Sequence, residues 1–202
     1  MQQLEKITAK SDIVIVSDEV YEHIIFDGYE HQSVARYPKL AERSFIVFSF
    51  GKTYHATGWK IGYCLAPAEL MSEYRKVHQF IVFTTNTPFQ YALADYMKKK
   101  EPYLSLAKFY QQKRDKFNSL LKNSKFKLTP ALGSYFQLLD YSSITKEKDT
   151  AFAVRMTKEH GVASIPTSVF YHQPVDNKLL RFCFAKNDET LEQAAERLCK
   201  IK

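Results

Sequence analysis

Apolar and polar positions change period several times along this chain, and each change marks an element. Residues 2–10 are polar with weak helical spacing, and the run DIVIVS at 12–17 follows at once as a β-branched strand. A run apolar on both faces suits a parallel sheet covered on both sides. SDEVY at 17–21 lies at its end, FDGY at 26–29 reads as a turn, and residues 38–42 as a short helix. Residues 44–49 and 61–66 read as two further strands. Over 69–83 the spacing is helical, with Leu70, Tyr74, Val77, His78 and Ile81 on one face. Asn86-Thr87-Pro88 is a helix start, with Asn86 or Thr87 as cap and Pro88 in the first turn. Helical spacing returns over 103–121.

Beyond residue 121 the pattern shifts. Residues 126–130 and 134–140 read as strands, 150–160 as a helix ended by Gly161, 162–166 and 179–184 as strands, and 189–201 as a final amphipathic helix. The expected fold class is α/β: a partial, mostly parallel sheet, then a smaller α+β unit, with a long helix near 105–122 between them. A parallel sheet normally needs more strands than the first half provides, and the chain enters it with almost no lead-in. The expectation is therefore the C-terminal half of something larger.

Composition narrows the function classes. With 45% hydrophobic and 25% charged residues the chain is ordinary for a folded protein. Its formal charge of +7 raises polyanion binding. The cations are scattered, however, and the one tight run, Lys98-Lys99-Lys100, follows a helical stretch whose C-terminus favours solvated cations. A nucleic-acid binder would need cations converging on one face with exposed aromatics. Cys64, Cys183 and Cys199 form an odd count without metal-ligand spacing, and each is expected as a buried reduced thiol. No metal site is expected. The polar first ten residues do not read as a signal peptide, and no apolar run reaches membrane-spanning length. The setting expected is cytoplasmic.

The candidate chemistry centres on FSFGKTYHATGWKIGY at 48–63. Gly51-Lys52-Thr53 is not a nucleotide phosphate loop, because that pattern needs a glycine where Ile46 stands inside a strand. Ligands of open parallel sheets bind beyond the carboxyl ends of strands, and Asp18 and Lys52 both follow strands closely. Tyr21, Ser49 and Lys60 add two hydroxyls and a second amine, while Gly51, Gly58 and Gly62 permit close backbone approach. Arg181 stands inside the apolar strand LRFCF, where a cation calls for an anionic partner such as a substrate carboxylate. Each residue alone has a plainer reading. A strand-end aspartate caps a turn, a lone lysine is solvated, and an arginine in a strand pairs with an internal acid.

Together, SDEVY at 17–21, SFGK at 49–52, TGWKIGY at 57–63 and LRFCF at 180–184 resemble the fold-type I, pyridoxal-phosphate-dependent aminotransferases of class I/II. The wording is most similar to the kynurenine, glutamine and methionine aminotransferase subgroup. The resemblance implies that residues 1–110 are the C-terminal portion of the large cofactor-binding domain and 111–202 the small C-terminal domain. It implies pyridoxal 5'-phosphate as cofactor, with Lys52 forming its Schiff base and then serving as general base and acid. Asp18 would pair with the pyridine nitrogen, Tyr21 would bond the phenolic oxygen, and Ser49 and Lys60 would hold the phosphate. Many relatives carry arginine at the position of Lys60. Arg181 would grip the substrate's α-carboxylate. Dicarboxylate-specific relatives carry a second arginine before the NTP-like segment, whereas QFIVF at 79–83 holds no cation. The implied donor is a neutral, sulfur-containing or aromatic amino acid and the acceptor a 2-oxo acid, in a homodimer without nucleic-acid or membrane partners. In that family an N-terminal domain completes the cofactor pocket, and its loop and stacking aromatic are not in this sequence. A cysteine-conjugate β-lyase would use the same Lys52 and Asp18, and a non-catalytic remnant acting in dimerisation is the alternative from another class.

Overall fold

Six strands form two three-stranded sheets in this structure, a computed structural model that describes residues 1–173 and 175–202. The chain divides into two units: Met1–Ile25 with Tyr29–Leu106, and Phe26–Gly28 with Ala107–Lys202.

The first unit begins with α1 (Gln2–Thr8), β1 (Ile15–Asp18), α2 (Pro38–Ala41) and β2 (Ser44–Ser49). A four-residue helix, α3 (Phe50–Thr53), follows β2 directly, and β3 (Gly62–Leu65) completes the sheet. Its order is β1-β2-β3, with β1 parallel to β2 and β3 antiparallel to it. Alternate residues of β2 point into a core of Val34, Leu40, Ile46 and Phe48, with Leu4 and Ile15 packed against it. The strand expected at 12–17 starts later, at Ile15, because the guanidinium of Arg43 takes the carbonyls of Thr8 and Ser11 at 2.7 Å each and of Ile13 at 3.4 Å. That strand is also buried on one face only. It lies at the sheet edge, and Val16 on its other face is 70% exposed.

The helix expected over 69–83 is α4 (Ala68–Ile81), and α5 (Thr87–Tyr96) starts where Asn86 Oδ1 accepts the Phe89 N–H at 3.1 Å. The apolar face of α4 is unburied among the described residues, with Phe80 86% exposed. Helical spacing over 103–121 resolves into α6 (Glu101–Leu104) and α7 (Leu106–Leu120), separated by Ser105.

In the second unit α7 buries Tyr110, Arg114 and Phe117, an i, i+4, i+7 stripe. The sheet consists of β4 (Phe136–Asp140), β5 (Ile165–Pro166) and β6 (Leu179–Cys183), all antiparallel, with β6 central. Helix α8 (Asp149–Arg155) continues as a π-helical turn to His160, which Gly161 closes at φ 65°. Helix α9 (Asp188–Cys199) ends the fold, and Phe152, Met156, Leu180, Phe184 and Leu198 are among the fully buried core residues. The strand expected at 126–130 is reduced to a bridge between Lys127 and Asp140. Past it, the side chain of Gln137 takes the place of a neighbouring strand: its amide donates to Thr129 O at 2.8 Å and accepts from Ala131 N at 3.1 Å. All three cysteines are free and half-buried rather than buried.

Candidate active site

Two short segments meet at the end of β2. The strand stops at Ser49, and α3 carries Lys52 one helical turn further on. The return path is a 3₁₀ turn at Thr57–Trp59, then Lys60 in the left-handed region at φ 54°, then β3. Phe50 N–H donates to Ile61 O at 3.2 Å, and Ser49 pairs with Gly62 across the β2–β3 ladder. The two segments enclose a hollow of about 210 Å³ lined by Ser49, Gly51, Lys52, Thr57, Lys60 and Gly62. Three residues predicted from the sequence, Ser49, Lys52 and Lys60, therefore share one cavity.

Its glycines are dictated by space. A Cβ on Gly51 would sit 3.1 Å from Thr57 Cα, and one on Gly62 would overlap the carbonyl oxygen of Phe48. A side chain at either position would push the facing segments apart. A larger hollow of about 510 Å³ beside Pro38, Ile46 and Leu65 holds none of the predicted residues, so volume alone does not choose the site.

Lys52 is half-buried, and its Nζ lies 6.0 Å from the ring centroid of Tyr21. Asp18 ends β1 with an exposed carboxylate, whose Oδ1 accepts the Val20 N–H at 3.3 Å. Asp18 and Tyr21 do not line the hollow around Lys52.

Sequence reasoning passed over Glu19. Its carboxylate is buried and accepts from Ser17 Oγ at 2.9 Å, Val34 N at 3.0 Å and His31 Nε2 at 2.8 Å. Burial alone would raise its pKa. The hydrogen bonds from Ser33, His31, Val34 and Ser17 outweigh that and hold the carboxyl below its ordinary value. Glu19 thus ties the strand end that bears Asp18 to the loop at 31–34. The signal available in the sequence was a second acid directly after Asp18, between the apolar run at 13–16 and Val20.

A neighbouring hollow of about 100 Å³ is lined by Glu22, His23, Tyr54, Tyr63, Met97 and Tyr103 among others. The Tyr63 hydroxyl donates to Glu22 Oε1 at 3.2 Å; burial and then Glu22 push the Tyr63 pKa up. Burial likewise raises Tyr54 and lowers His23. Tyr54 packs edge-on against Tyr96 and Tyr103.

In the second unit, Arg181 occupies the middle of β6, paired with Leu138 on one side and Ile165 on the other. Its guanidinium carbon lies 4.2 Å from the Phe136 ring centroid and 5.0 Å from that of Phe170. Among the described residues its Nε is buried without a hydrogen-bond partner, an internal acid included.

The profile of the Aminotransferase class I and II family matches residues 1–198. The chain belongs to that family. It is 52% identical over 194 residues to the methionine aminotransferase of Escherichia coli, covering 96% of this chain and 50% of that protein. It is 36% identical to the kynurenine–oxoglutarate transaminase of Dictyostelium discoideum, covering 100% of this chain and 52% of that one. Among solved structures, the YbdL protein of Escherichia coli, described as having a methionine aminotransferase function, superposes at TM-score 0.94 with 50% identity, over 98% of this chain and 53% of that one. The N-succinyldiaminopimelate aminotransferase of Mycobacterium tuberculosis superposes at 0.92 with 33% identity, over 98% and 52%. The chain thus has the α/β architecture of those structures and spans about half the length of the curated relatives it matches.

Proposed function

We propose that this chain forms the lysine-bearing half of a pyridoxal 5'-phosphate-dependent aminotransferase. It would move an amino group from a neutral, sulfur-containing or aromatic amino acid to a 2-oxo acid. The observation that carries the reading is the hollow in which Ser49, Lys52 and Lys60 converge. Its donor set fits the cofactor. The Ser49 and Thr57 hydroxyls and the Lys60 ammonium suit a phosphate, Gly51 and Gly62 leave the space that a Cβ would fill, and Lys52 adds a half-buried amine at the same wall.

When bound, pyridoxal phosphate supplies an aldehyde and an electron-accepting pyridine ring. Lys52 would be the amine that holds the cofactor at its aldehyde, with water as the leaving group, and its Nζ would then be the group that takes up and returns the substrate proton. Asp18 would offer its carboxylate to the ring nitrogen and favour its protonated form, and Tyr21 would offer its hydroxyl to the phenolic oxygen. Arg181 takes the substrate's α-carboxylate. Its unpartnered Nε supports this assignment, because a buried donor on a cation is costly until an acceptor reaches the group. The cation-free segment 79–83 and the named activities of the methionine and kynurenine relatives favour a neutral donor. The exposed apolar residues of α4 support assembly as a homodimer, and the free thiols support a cytoplasmic setting. Among the described residues, no helix is long and apolar enough to cross a membrane.

The test is a visible spectrum of the purified chain with added pyridoxal phosphate, followed by borohydride reduction and peptide mapping. A new visible band with the label confined to Lys52 is expected, and Lys52→Ala should lose both. A label scattered over surface lysines, or unchanged in Lys52→Ala, would overturn the assignment of Lys52.

A further inference from the structure

Arg181 is held by two aromatic rings that reach it from opposite neighbours in the sheet. β6 lies between β4 and β5. Phe136 opens β4 and pairs with Cys183, two residues along β6 from Arg181 and on the same face. Phe170 ends the 3₁₀ segment Thr167–Phe170, which follows β5 directly. From these two directions the rings come within 4.2 and 5.0 Å of the guanidinium carbon. Both separations lie inside the range in which a cation is attracted to an aromatic face.

Each ring is itself braced. Phe136 packs on Tyr135 at 4.8 Å, and Tyr135 packs on Tyr110 at 5.7 Å. Tyr110 is buried on α7, where burial and the neighbouring Tyr135 and Cys183 push its hydroxyl up to about 12. Ser134 precedes this pair at φ 61°, and its Oγ accepts the Phe136 N–H at 3.3 Å. A left-handed serine costs backbone energy, and here it sets the entry angle of the strand that carries the ring. On the other side, Asp149 accepts Ser168 N and Oγ at 2.7 Å each and fixes the 3₁₀ segment that ends at Phe170.

We propose that Phe136 and Phe170 form an aromatic clamp that orients the Arg181 guanidinium and so makes both rings positioning residues for carboxylate capture. The inference rests on the reading of Arg181 as the carboxylate-binding residue. A guanidinium has five donors in one plane, and an unrestrained arginine loses much side-chain freedom when it forms a two-point contact. Rings at 4.2 and 5.0 Å from the guanidinium carbon restrain it without a carboxylate and so do not compete for the donors that grip an anion. They also remove part of that entropic cost before the anion arrives. An internal carboxylate would hold the arginine equally well but would occupy the donors that an incoming anion needs. Aromatic rings hold it and leave those donors open.

The test uses the purified chain with ¹⁵N-labelled arginine and 2-oxobutanoate as probe, followed through the Arg181 side-chain resonances. Phe170 is the residue to change first, since it is 61% exposed and its removal leaves the core intact. The unaltered chain should show a saturable shift of the Arg181 signals. Phe170→Ala should weaken the affinity about threefold to tenfold, the scale of one cation–π contact. Phe170→Leu, similar in bulk but without a π face, should remain weak, and Phe170→Trp should restore binding. Phe136→Leu should act in the same direction, with propionamide as the uncharged control giving no shift in any variant. Unchanged affinity in Phe170→Ala and Phe136→Leu would overturn the clamp and leave the role of Arg181 standing. No Arg181 response to 2-oxobutanoate in the unaltered chain would overturn both.

Discussion

Glu19 and His31 lie 2.8 Å apart, and Glu19 is only 4% exposed. A buried carboxylate is tolerable only when its oxygens are satisfied, and here a hydroxyl, a backbone N–H and an imidazole do so. Glu19→Ala would leave the Val34 N–H without its acceptor and should cost about 2–3 kcal/mol in urea denaturation, with Glu19→Gln costing less. Because the folded-state pKa is depressed, the contribution should be complete above the ordinary value of 4.5 and disappear as pH falls through the folded-state pKa. A denaturation midpoint that shows no such acid loss relative to Glu19→Gln would contradict this account.

Gly62 faces the backbone of Phe48 across the β2–β3 ladder, where a Cβ would collide with the carbonyl oxygen. Backbone cannot rotate away as a side chain can. Gly62→Ala should therefore cost about 1–3 kcal/mol by overpacking and widen the hollow beside Ser49. Thermal unfolding and cofactor titration together check this. Gly58, where a Cβ meets nothing within 4 Å, is the control, and Gly58→Ala should be near neutral in both.

Local chemistry was readable and long-range pairing was not. The bounds of β2 and the Asn86 cap follow from residues adjacent in sequence, and both stand as expected. β1 starts late because Arg43, some thirty residues away, captures the carbonyls of Thr8, Ser11 and Ile13. The strand at 126–130 shrank because a glutamine side chain replaced a neighbouring strand. At the site, spacing alone brought Ser49, Lys52 and Lys60 together, since all lie on one strand–helix–turn segment. The burial of Glu19 depends on residues 31–34, and the rings around Arg181 come from two other elements, so no local pattern announced them.

Asp149 is 1% exposed and holds the segment that ends at Phe170 through two 2.7 Å bonds to Ser168. Asp149→Ala leaves the Ser168 N–H without its acceptor and should cost about 2–3 kcal/mol. The same substitution should weaken 2-oxobutanoate binding through Arg181. Ser168→Ala removes one of the two bonds and should cost about 1 kcal/mol, with a smaller loss of affinity. If Asp149→Ala destabilises the fold but leaves affinity unchanged, the segment's anchoring is unrelated to the arginine.

Lys60 combines a charge at the hollow with a left-handed backbone at φ 54°, a conformation that costs a lysine energy and a glycine almost none. These two properties predict opposite effects of a single change. Lys60→Gly should maintain or raise the thermal midpoint, because the strain is relieved. It should also weaken pyridoxal phosphate binding about tenfold, because a charge-assisted contact to the phosphate is lost. Ser49→Ala should weaken binding to a smaller extent. The discriminating ligand is pyridoxal without its phosphate, whose affinity should be the same for the unaltered chain and both variants. Raising the salt concentration should narrow the gap between the unaltered chain and Lys60→Gly, since an exposed cation is screened. Equal loss of pyridoxal and pyridoxal phosphate binding would mean that Lys60 shapes the loop and does not hold the phosphate.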